Sequence, residues 1–216
     1  MASEVLTGDE IRATDRMDDW RPLYAAIEAR YRTGDFGTGL ALVNRIGEAA
    51  EAANHHPDLK LTYGHVDVLL TSHDAGGLTS RDVALARTIS GIAADLGVAA
   101  DPGSVQRVEL ALDTWDADEI RPFWAAVLAI DPTAEGELAD PAGVHPTVWF
   151  QDATADTDQR WHLDLRVPPE VADQRIAAAL AAGGSLVSDA SAPSFTVLAD
   201  AQGNQVCVCT HVGRGT

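Results

Sequence analysis

The stretch from Asn54 to Asp82, NHHPDLKLTYGHVDVLLTSHDAGGLTSRD, decides the fold of the first half of the chain. Pro57 cannot continue a helix that precedes it, so the pattern places His55 and His56 at a helix exit. Apolar residues then alternate with polar ones on both sides of Gly64, which predicts one long strand with a bulge or bend at that glycine. The alternating apolar residues are Leu59, Leu61, Tyr63, Val66, Val68 and Leu70.

The far end of the predicted strand carries a third histidine, His73, and Gly76 and Gly77 turn the chain after it. Thr79 and Asp82 have the spacing of a capping box, which predicts that the next helix starts there. A single long strand would hold the His pair and the third histidine far apart. A shared site therefore requires the bend or a neighbouring element to bring the imidazoles together.

The three imidazoles allow two interpretations. Imidazole gains and loses protons near neutral pH, which suits general acid–base catalysis worth roughly 10² to 10⁴ in rate. Histidines just past a helix C-terminus also interact favourably with the helix dipole, and Asp82 could serve only as a cap. The residues by themselves leave both interpretations open.

The motifs of this stretch resemble the signature of the pterin-4a-carbinolamine dehydratases, and the spacing from the His pair to His73 fits without gaps. The resemblance covers residues 1–99. The matching motifs are His55-His56-Pro57, Tyr63, Val66, Thr71-Ser72-His73, Gly77-Leu78-Thr79 and Arg81-Asp82.

The resemblance implies a metal-free and cofactor-free dehydration of 4a-hydroxytetrahydropterin to quinonoid dihydropterin, a step of tetrahydrobiopterin recycling. It implies that His55 and His73 are the proton-transfer pair and that His56, the third member of the catalytic set, orients the pterin. It further implies that Trp20 stacks on the pterin ring. Two further residues are expected at the substrate, Asn54 and Asp82.

Asn54 departs from the family pattern, because many members carry an acidic residue immediately before the His pair. The amide keeps a hydrogen-bond acceptor but lacks the charge that would raise the pKa of a neighbouring imidazole. The departure therefore bears on the rate of the reaction more than on substrate binding.

Composition restricts the class of protein and of partner. The chain has 216 residues, 46% of them hydrophobic, and 15 Lys and Arg against 33 Asp and Glu, a net charge of −18. This charge repels nucleic acid and anionic membranes. The small pterin partner is what the resemblance to the dehydratases implies. The N-terminus is polar and acidic, and Cys207 and Cys209 are spaced for a strand and not for a disulfide, which favours a cytoplasmic protein.

The first half is predicted to be an α+β domain, an antiparallel sheet with helices on one face. Two short strands are expected between Trp20 and Thr33. The predicted helices are Leu6 to Arg16, Asp35 to Ala53 with Asp35 as cap, and Thr79 to Leu96, which ends at Gly97.

Residues 98–104 are small and turn-prone, so they are predicted to link a domain at 1–99 to a second domain at 105–212. In the second domain a strand–helix–strands pattern occurs twice. The predicted strands are 107–113, a hairpin of 137–140 with 147–152, 161–167, 186–189, 195–199 and 205–210, and the predicted helices are 117–129 and 169–182.

Several motifs of the second half resemble the glyoxalase-like branch of the vicinal-oxygen-chelate superfamily. They are Phe123-Trp124-Ala-Ala-Val-Leu128, Trp149-Phe150-Gln151, Arg160-Trp161-His162-Leu163-Asp164-Leu165 and Asp200-Ala-Gln-Gly203-Asn204. The resemblance implies paired βαβββ modules in an open, cupped sheet, with the first module one strand short. Members often bind a divalent metal, and the matching positions are Glu109, Gln151, His162 and Gln205. Because amides are weak ligands, a metal-free cup with His162 bonded to Asp164, or lining a small-molecule pocket, is the other interpretation.

Three functional hypotheses follow. The first is a pterin carbinolamine dehydratase, the second a non-catalytic pterin-binding or regulatory module, and the third a metal-dependent lyase or dioxygenase acting in the C-terminal domain. The first resemblance also implies that a homodimer is possible.

Overall fold

The computed structural model describes residues 5–143, 145–154, 160–201 and 203–213. Residues 1–4 of the predicted first domain and Gln202 of the Asp200–Asn204 motif lie outside these ranges. The Cα positions form two compact units. The first comprises Met1–Val105, Pro168–Glu170 and His211–Thr216, and the second comprises Gln106–Val167 and Val171–Thr210.

The first unit is an α+β structure, as the sequence predicts. Its elements are α1 (Gly8–Ala13), β1 (Arg21–Leu23), β2 (Ala26–Arg32), α2 (Phe36–Ala53), β3 (Asp58–Leu61), β4 (His65–Leu70), α3 (Ser80–Asp95) and β5 (Ala99–Ala100), with 3₁₀ turns at His73–Ala75 and Pro102–Ser104. The strands form one antiparallel sheet in the order β1-β2-β4-β3, and β5 pairs with β2.

The helix starts are set by local hydrogen bonds. Thr7 and Glu10 form a capping box for α1, and Asp35 accepts the backbone N–H of Thr38 at the start of α2. Thr79 and Asp82 form the predicted capping box of α3. Each cap satisfies N–H groups that the helix itself leaves unpaired.

One face of the first sheet packs against α2 and α3, because apolar side chains alternate along the central strands. The opposite face carries charged residues such as Arg30 and Asp67, which form a bidentate ion pair at 2.6 and 2.9 Å. The helix-covered core contains Ile27, Ala29, Tyr31, Leu42, Ile46, Ala50, Val66, Val68, Leu70, Leu85, Ala86 and Ile89.

The prediction of one long strand through Gly64 is wrong. The structure has a hairpin, in which β3 runs antiparallel to β4 with Leu61 opposite Val66 and Asp58 opposite Leu69. Thr62 closes the turn, because its backbone N–H donates to the carbonyl of His65 at 2.9 Å. Period-two alternation is the same in a bent strand and in a hairpin, so the pattern could not separate them. The hairpin places the start of β3 and the end of β4 at the same end of the sheet.

The predicted linker is partly structured. Ala99 and Ala100 pair with Arg32 and Tyr31 of β2, so this segment extends the first sheet. Asp101, which follows, pairs with the guanidinium of Arg32 at 2.6 Å.

The second unit contains a six-stranded mixed sheet in the order β7-β6-β8-β11-β10-β9. Its elements are β6 (Arg107–Thr114), α4 (Ala117–Leu128), β7 (Thr147–Asp152), β8 (Trp161–Arg166), α5 (Pro169–Ala181), β9 (Ser185–Ser188), β10 (Phe195–Ala199) and β11 (Gln205–Cys209). The second βαβββ copy is complete, as β8-α5-β9-β10-β11.

The first copy lacks the predicted hairpin strand. Over the described residues, the segment at 137–140 contributes a single β-bridge, between Leu138 and Val148. A turn closed by Gly136 N–H to Thr133 precedes it and a turn closed by Gly143 N–H to Asp140 follows it. These two turns leave too short an extended segment for a ladder.

None of the described helices combines the length and the apolar character that crossing a membrane would require.

Candidate active site

The end of α2 positions His55. Asn54 adopts the left-handed conformation (φ 48°, ψ 43°), and its N–H donates to the carbonyl of Glu51. The N–H of His55 donates to the carbonyl of Ala50 at 3.1 Å. These two bonds form a Schellman motif, in which asparagine is accepted because it tolerates the left-handed conformation better than most residues. The backbone of Asn54 therefore ends α2, and its side chain is exposed. The predicted contact between this side chain and the substrate stays a prediction.

His55 forms a buried pair with Asp82, the central feature of the site. Nε2 of His55 lies 2.7 Å from Oδ1 of Asp82, and the two side chains are 9% and 0% exposed. An ionised carboxylate only accepts hydrogen bonds, so the imidazole donates through Nε2–H. The neutral ring consequently carries its lone pair on Nδ1, the nitrogen that can act as a base.

The second oxygen of Asp82 connects the end of β4 to the start of α3. Oδ2 accepts hydrogen bonds from Ser72 Oγ and from the backbone N–H of Thr79, both at 2.7 Å. Ser72 Oγ is also 2.9 Å from Thr79 Oγ1. Both carboxylate oxygens of Asp82 are hydrogen-bonded within the protein, and its side chain has no exposed surface. In this structure Asp82 therefore contacts His55, and its predicted substrate contact stays a prediction.

His73 follows directly after Ser72 and starts an exposed 3₁₀ turn. Asp74, the next residue, pairs with the guanidinium of Arg81, which neighbours Asp82 on α3. The hydrogen bond from Arg81 holds the pKa of the Asp74 carboxyl below its usual value. The turn that carries His73 is thus tied at two points to the helix that holds the partner of His55.

An open cleft of about 190 Å³ lies between α2 and α3 beside this network. His55 and Arg81 provide its ionisable groups, and Nε of Arg81 is buried without a hydrogen-bond partner among the described residues. The remaining lining residues are small or apolar: Ala49, Ala53, Ala84, Leu85 and Thr88. Enclosed ligand pockets commonly measure roughly 300–1,000 Å³, so this cleft covers part of a ligand only.

His56 lies apart from the buried pair. Its side chain is exposed, and Nε2 is 3.2 Å from Oε1 of Glu51 on the last turn of α2. It is adjacent in sequence to His55, and its ring is exposed to solvent. Its predicted role as the residue that orients the pterin stays a prediction.

Trp20 lies in the core of the first unit. It is 2% exposed, and its indole Nε1 donates to Ser90 Oγ at 3.1 Å. Its ring packs edge-on against the ring of Tyr31, with the two ring centroids 6.4 Å apart. A flat heterocycle needs an open ring face for stacking. Trp20 offers none in this structure, so the predicted stacking role has no surface through which to act.

Sequence reasoning missed two participants, Ser72 and Arg81. Both lie within the motifs quoted above, but neither has a local spacing that indicates its role. The bond of Ser72 spans ten residues to Asp82, and Arg81 reaches the cleft only because α3 packs against α2. The capping spacing of Thr79 and Asp82 was the available signal, and it indicated a cap alone.

The metal positions predicted in the second unit lie on four neighbouring strands, β7, β6, β8 and β11, and their role stays a prediction. Glu109 is 1% exposed and pairs with Arg166. Burial raises the pKa of the Glu109 carboxyl, and the guanidinium of Arg166 offsets only part of that rise. Gln205 is exposed at the start of β11, and Gln151 lies on β7. His162 is 3.8 Å from the Asp164 carboxylate, too far for the predicted hydrogen bond.

The comparisons with known proteins match each half of the chain separately. A family model described as pterin 4 alpha carbinolamine dehydratase matches residues 4–92. A second model, described as a glyoxalase-like domain, matches residues 109–209.

Two curated relatives carry pterin-4-alpha-carbinolamine dehydratase in their names. One, from Koribacter versatilis, is 41% identical over 91 residues, which cover 42% of this chain and 97% of the relative. The other, from Thermomicrobium roseum, is 45% identical over 74 residues, which cover 34% of this chain and 80% of the relative.

Two solved structures are similar to separate parts of the chain. The crystal structure of a transcriptional coactivator/pterin dehydratase from Brucella melitensis is 31% identical with a TM-score of 0.39, and the match covers 42% of this chain and 99% of that one. A glyoxalase/bleomycin resistance protein/dioxygenase superfamily member from Vibrio splendidus is 18% identical with a TM-score of 0.35, covering 49% and 99%.

Proposed function

The chain belongs, through its N-terminal half, to the pterin-4-alpha-carbinolamine dehydratase family, and on that premise we propose that it dehydrates 4a-hydroxytetrahydropterin to quinonoid dihydropterin. The observation that carries the proposal is the buried His55–Asp82 pair at the edge of the cleft. A histidine held this way has one nitrogen committed to the protein and the other available for a proton.

The reaction needs one proton removed and one proton supplied. The N5–H proton leaves, the C4a–O bond breaks, the departing hydroxyl takes up a proton to become water, and a C4a=N5 double bond forms. No electron is gained or lost, so the chemistry requires a base and an acid and no redox group.

His55 is assigned the role of base through Nδ1. When Nδ1 takes up the N5 proton, the ring becomes an imidazolium whose Nε2–H still donates to Asp82. The buried carboxylate stabilises that positive charge and keeps the ring in one orientation. Asp82 thus supports the proton transfer without contacting the substrate.

His73 is assigned the role of acid toward the departing hydroxyl. Its exposed position supports this role, because an imidazole open to water can regain its proton between turnovers. Arg81 and the apolar wall of the cleft support binding of a flat, polar-edged ring, since the guanidinium provides a donor for a carbonyl oxygen. His56 remains the proposed residue that orients the pterin from the solvent side.

The test is a stopped assay of 4a-carbinolamine loss with the full chain and with His55→Ala and His73→Ala. Each substitution is expected to lower the rate by roughly 10² to 10⁴. His65→Ala is the matched control, because His65 is a β4 histidine bonded to Thr62 and is expected to keep the wild-type rate.

Wild-type protein that accelerates the loss no more than buffer does would refute the proposal. Calorimetry with a tetrahydropterin then separates the remaining hypotheses. Tight binding without turnover would select the non-catalytic pterin-binding module, and absence of binding would exclude the pterin site altogether.

A further inference from the structure

The second unit places a thiol beside an imidazole on one face of its sheet. Cys207 of β11 is paired directly with Asp164 of β8, and His162 lies two residues before Asp164 on the same strand. Directly paired residues point to the same side of a sheet, and so do residues two apart along a strand. The helices α4 and α5 pack against the other side, on apolar residues such as Leu110 and Val208.

The sulfur of Cys207 lies close to the ring of His162. A ring nitrogen of His162, a carboxylate oxygen of Asp164 and the sulfur all lie within 4.8 Å of one another. Cys207 is a thiol and is partly exposed. A nucleophile and its base lie roughly 2.6–3.2 Å apart in a reactive arrangement and often farther apart without a substrate. A small side-chain rotation or one bridging water therefore brings the imidazole to the thiol proton.

Asp113 of β6 provides a second and independent observation. It is 9% exposed, and its Oδ1 has no hydrogen-bond partner among the described residues. That oxygen lies 3.6 Å from Nδ1 of His162, and Nε2 of the same ring lies 3.8 Å from Oδ1 of Asp164. Trp149 packs edge-on against the imidazole, with the ring centroids 6.1 Å apart. A carboxylate behind an imidazole orients it and stabilises its protonated form, which is what a base beside a nucleophilic thiol requires.

The charges nearest to the thiol and the imidazole are carboxylates. Arg166 pairs with Glu109, whereas Asp164 is 4% exposed and stands directly beside Cys207. An anionic molecule that approaches the sulfur is therefore repelled, and an uncharged molecule is not. Within the described part of the chain, the charged residues on this face of β6 and β8 are Arg107, Glu109, Asp113, Asp164 and Arg166.

We propose that Cys207 is a nucleophilic thiol, activated by His162 as base, that forms a covalent adduct with an uncharged electrophile of the α,β-unsaturated carbonyl class. The sulfur bonds to the β-carbon, while the thiol proton passes to Nε2 of His162 and then to the α-carbon. The carbon–carbon double bond becomes a single bond, no group leaves, and no electron donor or acceptor is needed. Asp113 and Asp164 stabilise the transient imidazolium, with Asp113 as the positioning residue. The site belongs to the second unit and does not depend on the dehydratase proposal.

The test labels the full chain with N-ethylmaleimide, an uncharged electrophile of this class, and follows each cysteine by peptide mass spectrometry. Cys207 is expected to react faster in the folded chain than in the urea-unfolded chain at neutral pH. Cys209, which is 0% exposed, is the internal control and is expected to react only after unfolding. The anionic analogue 3-maleimidopropionate is expected to label folded Cys207 about fivefold more slowly, relative to the same comparison in the unfolded chain, because of the neighbouring carboxylates.

The role of His162 is tested by the pH at which the labelling rate of Cys207 rises, since partial burial does not move that pH. An ordinary thiol ionises around pH 8.5, and the folded wild type is expected to rise below that value. In His162→Ala the rise is expected above that of the unfolded chain, because the Asp164 carboxylate opposes ionisation of the thiol once the imidazole is gone. Asp113→Asn is expected to move the rise part of the way. His145→Ala, at an exposed histidine outside the cluster, is the matched control and is expected to leave it unchanged.

Three results would overturn the proposal. They are labelling of Cys209 ahead of Cys207 in the folded chain, a folded Cys207 that reacts no faster than the unfolded one, and a pH profile that His162→Ala leaves unchanged. Circular dichroism checks that each variant is folded, and the comparison of folded with unfolded wild type needs no variant.

Discussion

Replacing Asp82 with asparagine tests whether the buried carboxylate governs the protonation of His55. The substitution keeps the shape of the side chain. Its amide oxygen is expected to take the Oδ2 position, because Ser72 and the Thr79 N–H both donate there. The NH₂ group then faces Nε2 of His55, which must become an acceptor, so the ring proton moves to Nδ1.

The expected magnitude follows from this change of tautomer. A ring with a proton on Nδ1 can no longer act as base at that atom, so kcat is expected to fall by about 10² to 10⁴, while KM changes little. The free energy of unfolding is expected to fall by about 1–3 kcal/mol, because hydrogen bonds to a charged group are replaced by weaker neutral ones.

The assay is steady-state loss of 4a-hydroxytetrahydropterin, with urea unfolding measured in parallel. Asp95→Asn serves as control, since Asp95 lies on the same helix and forms an exposed ion pair with Arg45. If Asp82 acts only through His55, adding Asp82→Asn to His55→Ala causes little further loss. A folded Asp82→Asn variant with kcat within about twofold of wild type, or full additivity in the double variant, would refute the reasoning.

Three predictions concern stability, each measured by denaturant unfolding. Asn54→Gly is expected to leave the free energy of unfolding nearly unchanged, whereas Asn54→Val is expected to lower it by about 1–2 kcal/mol because of the left-handed backbone; equal effects would contradict the capping role. Gly47→Ala is expected to raise the free energy of unfolding by about 0.5–1 kcal/mol, because the new Cβ in α2 meets nothing within 4 Å. Gly39→Ala is expected to lower it by about 1 kcal/mol, because its Cβ would lie 2.6 Å from a methyl carbon of Leu61 in β3. The hydrogen bond from Ser104 is the main cause that lowers the pKa of Asp101, so this carboxylate contributes stability above its unfolded pKa and loses it as pH falls through the lower folded pKa. Asp101→Asn should therefore destabilise at neutral pH and converge with wild type in acid, and a constant difference would contradict the assignment.

Much of the fold could be predicted, because the relevant signals act over a few residues. The capping box at Thr79 and Asp82, the cap at Asp35 and the alternation along β6 and β8 each appear in the structure where the sequence places them. The three histidines could be selected as candidates on the same basis. Whether a histidine faces a cleft or solvent could not be predicted, because that depends on which helices pack against it.

The amino-acid sequence by itself determines the helix caps, the types of the elements and the two-part organisation of this protein. These features depend on residue types and on spacings of a few positions. Pairing between distant segments decides the rest. The chain turns back at Gly64 as a hairpin, Asp82 reaches His55 across twenty-seven residues, and Trp20 is enclosed by the core. The parallel pairing of β8 with β11 alone sets Cys207 beside Asp164. Hydrogen bonds and burial of this kind form only when the sheet and helices assemble, so no local pattern encodes them.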